Sequence, residues 1–199
     1  MRRLVGLGSL AVALMLPLGS AGAQTQVIGF EGLGAGAVPV GYAGLTWSAG
    51  PFSFWNIALS GSSLFRGSTG NASAYSEETA TLSFSRPGEA FDFNSIFLSE
   101  VLSGPPDRTD INTTIWGFRD GELVYETSIP LDHFDMVKYD LNWTNVDKVT
   151  IGAIKGRIIV DDITLTSTPE PATMLLVGSG LAGVFGAARR RKNAQAAQA

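Results

Sequence analysis

The sequence predicts an all-β fold, an antiparallel β-sandwich of jelly-roll type, flanked by an N-terminal signal helix and a C-terminal transmembrane helix. Three observations carry this expectation. Between residues 24 and 168, helical periodicity is nearly absent, while short alternating, β-branched and aromatic runs recur. Gly, Pro, Asn and Asp separate those runs at the spacing of a sandwich rather than of βαβ units. Both chain ends carry an uncharged apolar run beside a cluster of Arg or Lys, unlike anything between them.

The first segment is read from its charges and its small residues. Met1-Arg2-Arg3 is a charged leader and Leu4 to Leu18 is apolar. Ala21 and Ala23 then satisfy the small-x-small cleavage rule. Residues 1–23 are therefore expected to be a signal peptide cut after Ala23, so the body is exported.

Residues 24–168 follow as one domain of about 145 residues, a size suited to a single core. Strands are expected at Gln26 to Phe30, Leu45 to Ser48, Thr79 to Ser85 and Phe91 to Val101. Further strands are expected at Thr113 to Arg119, Leu123 to Ile129, Met136 to Leu141, Lys148 to Ile154 and Ile158 to Leu165. Asp120-Gly121 between two of them is a strong hairpin signal, because both turn positions favour positive φ. Pro87-Gly88 marks a second turn. The stretch from Ala49 to Ser76 shows no regular pattern.

Charge narrows the function. The body keeps eight of the 14 Lys and Arg and 17 of the 18 Asp and Glu, a formal charge of −9. A field of that sign excludes nucleic acid and anionic lipid as partners and is compatible with divalent cations. With no cysteine, disulfides, thiolate metal sites and a cysteine nucleophile are excluded.

The tail has three parts. Pro169-Glu170-Pro171 is extended, since two prolines fix φ and lack N–H donors. Ala172 to Ala188 carries no charge and as a helix would be roughly 25 Å long, at the short end for a hydrocarbon core about 30 Å thick. Arg189, Arg190, Arg191 and Lys192 would then be retained in the cytoplasm, leaving 193–199 as a short cytoplasmic tail. Together these residues resemble the PEP-CTERM sorting signal of exported Gram-negative bacterial proteins. That resemblance implies recognition and processing by a membrane-embedded exosortase, a transient inner-membrane anchor with the body in the periplasm, and delivery to the cell surface or medium. It also implies association with exopolysaccharide and biofilm.

A second resemblance concerns the body. It opens with Phe30-Glu31-Gly32 and closes with Ile159 to Leu165, which contains Asp161 and Asp162. This is similar to jelly-roll carbohydrate-binding modules and galactose-binding-like domains, whose first and last strands lie together. The resemblance implies a structural Ca²⁺ held by Glu31, Asp161 and Asp162, a cation that takes six to eight oxygen ligands. The alternative is that these are edge or turn carboxylates in solvent.

Aromatic residues leave two readings. Tyr42, Trp47 and Trp55 would stack on sugar rings if exposed; otherwise they fill the sandwich core, which the burial weight of aromatics favours. No catalytic constellation is visible. His133 is the only histidine, and no Gly-x-Ser-x-Gly elbow presents a serine. The expectation is a non-enzymatic surface or matrix protein, with a calcium-stabilised lectin-like module as the alternative and a secreted hydrolase behind both.

Overall fold

The computed structural model of the chain describes residues 23–49, 55–76, 80–101, 111–152, 154 and 156–167. Ala21, the predicted span 172–188, and Pro169, Glu170, Pro171, Arg189, Arg190 and Arg191 lie outside the described residues. The described residues belong to one compact unit.

Among the described residues twelve strands make two antiparallel sheets, as the sequence predicts in kind. They are β1 (Gln24–Ile28), β2 (Gly36–Ala37), β3 (Thr46–Ala49), β4 (Asn56–Leu59), β5 (Ala72–Tyr75) and β6 (Leu82–Ser85). Then come β7 (Phe91–Val101), β8 (Ile111–Arg119), β9 (Glu122–Leu131), β10 (Val137–Val146), β11 (Lys148–Ile151) and β12 (Arg157–Ser167). One sheet runs β10-β7-β12-β5-β4-β2, with β1 also paired to β12; the other runs β3-β6-β11-β8-β9. A single 3-10 turn at Tyr42–Gly44 is the only helical element among the described residues. None of their helices is long and apolar enough to cross a membrane.

The alternation seen in the sequence places the core. In β6, Leu82 and Phe84 point inward and Ser83 and Ser85 outward; in β8, Ile115 points inward between Thr114 and Trp116. Phe84, Phe91, Phe93, Ile151, Val160 and Leu165 from both sheets meet in the buried layer. Phe84 stacks on Phe91 and meets Phe93 edge-on at 5.6 Å. Tyr125 of one sheet stacks on Trp143 of the other at 5.2 Å, closing one side of the sandwich. The turn at Asp120-Gly121 has φ of 52° and 86°, as the hairpin requires, and Arg119 faces Glu122 across it.

Three strands were not expected. β2, β4 and β5 bring the count to twelve rather than eight or nine. Ala72, Ser73 and Ala74 of β5 are all buried, so that strand shows no alternation.

Candidate functional site

The predicted acidic residues converge where β12 changes neighbours. β5 pairs with β12 only as far as Val160, and β1 pairs with it only from Ile163. Asp161 and Asp162 occupy the interval, which is also a bulge. Asp161 lies opposite Phe97 and Thr164 opposite Ser95, so β12 carries extra residue length against β7. Asp162 has φ of 41°, the left-handed region that Asp tolerates better than most residues.

The loop from β4 to β5 fills the gap. Ser68 donates its N–H to Asp161 Oδ2 at 2.9 Å and its hydroxyl to Asp161 Oδ2 at 3.1 Å and Asp162 Oδ2 at 2.7 Å. Thr69 donates to Asp162 Oδ2 at 3.0 Å, and the Asp162 N–H donates to Asp161 Oδ1 at 2.9 Å. Glu31, just past β1, reaches into the same place. A Cβ added to Gly29 would collide with Glu31 Oε2 and lie 3.2 Å from Asp162 Oδ1, and one added to Gly70 would collide with the Glu31 carboxylate. Two glycines thus leave room for one carboxylate.

The electrostatics follow. Asp161 is 0% exposed, and burial pushes its carboxyl up to about 6; the Ser68 hydrogen bond pulls it down, while the charges of Asp162 and Glu31 raise it further. No Lys or Arg among the described residues pairs with any of the three. Tyr42 donates its hydroxyl to Gly29 O at 2.6 Å, and burial together with Glu31 and Asp161 raises its pKa.

Glu31 Oε2 and Asp162 Oδ1 both lie beside Gly29, whereas both Asp161 oxygens accept protein N–H or O–H groups. Among the described residues no group of three or more His, Cys, Asp or Glu is gathered closely enough to hold a metal ion. A cation here would need backbone carbonyl oxygens and water to complete its shell.

The three predicted sugar-stacking residues have a different environment. Trp55 is 2% exposed and donates its Nε1–H to Ser48 O and Ser83 O at 3.0 and 3.2 Å. It has no open face for a sugar, which corrects that expectation. Trp47 is half-buried, 4.9 Å from Trp55 and edge-on to it, and donates to Tyr42 O at 2.8 Å. Tyr42 stacks on Phe30 at 6.0 Å. The three rings belong to one aromatic cluster against the core, the alternative that ring burial favoured.

His133 is partly buried beside Glu100, with Nδ1 3.9 Å from Glu100 Oε1. Asp132, next to it, accepts the Phe134 and Asp135 N–H groups, and those bonds hold its carboxyl below the usual range. The pair is a short acidic turn at the end of β9.

Missed in the sequence was Trp116. It projects from the outer face of the five-stranded sheet and makes no ring contact among the described residues, unlike Trp47, Trp55 and Trp143. Its strand alternation was visible, but the direction of the core was not.

Comparison with known proteins bears on both ends of this description. No curated protein matches the chain. Solved structures similar in backbone include three. One holds the CBM22-1 and GH10 modules of endo-1,4-β-D-xylanase 10B of Clostridium thermocellum complexed with xylohexaose, at 11% identity and TM-score 0.39, covering 68% of this chain and 28% of that one. Another is arabinose-bound MgGH51 α-L-arabinofuranosidase, at 12% identity and TM-score 0.48, covering 76% of this chain and 27% of that one. The third is the C-terminal family 22 carbohydrate-binding module of the same xylanase, at 14% identity and TM-score 0.37, covering 62% of this chain and 87% of that one. This chain spans little more than a quarter of the first two. From residue 167 to residue 192 it carries the PEP-CTERM protein-sorting motif, the mark of an exported exosortase substrate held by a C-terminal membrane anchor before processing.

Proposed function

We propose that the chain is a non-enzymatic β-sandwich that exosortase processing delivers to the cell surface or extracellular matrix, where it associates with extracellular polysaccharide. The observation that carries this reading is the position of the sorting motif. It begins at Ser167, the last residue of β12, so the segment an exosortase reads follows the closing strand directly. The acidic body suits an uncharged partner better than a polyanion. The single histidine has a buried carboxylate beside it, and no hydroxyl nucleophile is hydrogen-bonded to it among the described residues, which favours a binding role over hydrolysis.

The test is fractionation of a host that contains an exosortase. The wild-type chain should reach the surface or medium in shortened form. Glu170→Ala, or replacement of Arg189, Arg190 and Arg191 by Ala, should leave a full-length membrane-bound protein. Normal shortening of both variants would overturn the reading.

A structural Ca²⁺ is a second feature, favoured by the convergence of Glu31 and Asp162 beside a buried Asp161 with no compensating Lys or Arg. Glu31 and Asp162 would supply carboxylate oxygens, and Asp161 would hold Ser68 and the bulge in place. Bound there, the ion would offset three neighbouring negative charges and tie β1, β12 and the loop from β4 together.

A further inference from the structure

We propose that the outer face of the five-stranded sheet, centred on Trp116, is the surface that takes an uncharged, extended polysaccharide chain laid across the strands. The inference rests on the polysaccharide reading above and assigns its site, which lies on neither the acidic bulge nor the aromatic cluster of Tyr42, Trp47 and Trp55.

Register places five side chains in one row. Ser48 lies opposite Ser83, Ser83 opposite Thr150, Thr150 opposite Trp116 and Trp116 opposite Glu126. Because residues directly opposite one another share a face, all five point away from the core. The row crosses β3, β6, β11, β8 and β9 in order, about 19 Å at the spacing of paired strands, long enough for a short run of sugar rings. Ser48 and Glu126 at its ends are exposed, and the three residues between them are partly exposed.

Its chemistry is that of a glycan surface. Ser48 Oγ and Ser83 Oγ are 2.9 Å apart and Ser83 Oγ donates to Ser48 O at 3.4 Å, leaving acceptor lone pairs for sugar hydroxyls. Glu126 supplies an acceptor at the far end. Trp116 provides a broad ring whose negative face suits the polarised C–H groups of a pyranose. Its placement is specific: the ring atoms Cη2 and Cζ3 lie 3.2 Å from where a Cβ on Gly152 would sit. A Cβ at residue 152 would crowd the indole by a few tenths of an ångström, so the glycine gives it room to lie close against the end of β11. The next row repeats the pattern with Phe118, half-buried, under Lys148 at 5.5 Å. The body's charge of −9 repels an anionic glycan and leaves an uncharged one.

The test uses the full-length chain in detergent, titrated with β-1,4-linked hexaoses of glucose, xylose and mannose and with polygalacturonate. Tryptophan fluorescence and calorimetry are the readouts. At least one neutral hexaose should bind with a blue shift in emission. Trp116→Ala should lose that shift and at least about tenfold in affinity. The Ser83→Ala/Thr150→Ala double variant should lose several-fold affinity while retaining the shift. Both should melt near wild type, since neither removes a core side chain. Binding by wild type with unchanged affinity in both variants would overturn this site and leave the polysaccharide reading standing. Failure of wild type to bind any glycan would overturn both. Tighter binding of polygalacturonate would overturn the neutral class. A concentration-dependent dimer abolished by Trp116→Ala would assign the face to a second copy instead.

Discussion

Replacing Asp161 by asparagine removes a buried carboxylate whose ionisation opposes folding. In the native state its pKa is about 6; in the unfolded chain an aspartate titrates near 3.9. Between those values the folded protein holds a proton that the unfolded protein has lost. Stability therefore falls as pH rises through that window, and the penalty is complete above the folded value. A rise of about two units corresponds to roughly 3 kcal/mol. Asparagine does not titrate, but its NH₂ must face either the Ser68 or the Asp162 donors, an offset of about 1–3 kcal/mol. That offset does not depend on pH, so the informative quantity is the difference between the two proteins. The assay is urea unfolding from pH 4 to pH 7 with a chelator present. Wild type should lead at pH 4, and its advantage should shrink by about 2 kcal/mol by pH 7. A difference constant across that range would refute the argument that Asp161 is buried and ionised only at a cost.

Further outcomes follow from the same structure. Phe84→Ala should lower stability by about 3–5 kcal/mol in urea unfolding, because Phe84 sits between both sheets and touches Phe91 and Phe93; a loss under 1 kcal/mol would be inconsistent with that core. Gly70→Ala should cost about 1–3 kcal/mol, because φ at Gly70 is 62° and a Cβ there meets Glu31; thermal melting measures it, and a neutral result would refute the packing at the bulge. Millimolar Ca²⁺ at a hundred times its Kd should stabilise wild type by about 2.7 kcal/mol, raising Tm by roughly 5–10 °C, and Glu31→Gln should abolish most of the gain. Identical melting with calcium and with chelator would remove the cation from the account.

Much of the fold was legible because local chemistry and tertiary demand agree. Asp120-Gly121 could only be a tight hairpin turn, and Leu82 to Ser85 alternates with one face in the core. β5 was illegible for the opposite reason: Ala72, Ser73 and Ala74 are small and buried on both faces, so nothing alternates. That Glu31, Asp161 and Asp162 lie near one another was legible. The bulge was not, because it arises from β5 and β1 sharing one side of β12, a property of two distant strands. The tryptophans show the same limit. Trp47, Trp55 and Trp116 all sit at or beside strands, yet which of them faces solvent depends on where the second sheet packs. The burial of Trp55 and the partial exposure of Trp116 are decided there.

The central claim joins an address to a partner, and one measurement addresses both: the distribution of the protein between membrane and polysaccharide matrix in hosts with and without an exosortase. The account predicts that with the enzyme most of the protein is shortened and co-sediments with the matrix, and that without it the full-length chain stays in the membrane fraction. Shortened protein that remains free of the matrix, or matrix association that is indifferent to the enzyme, would contradict it.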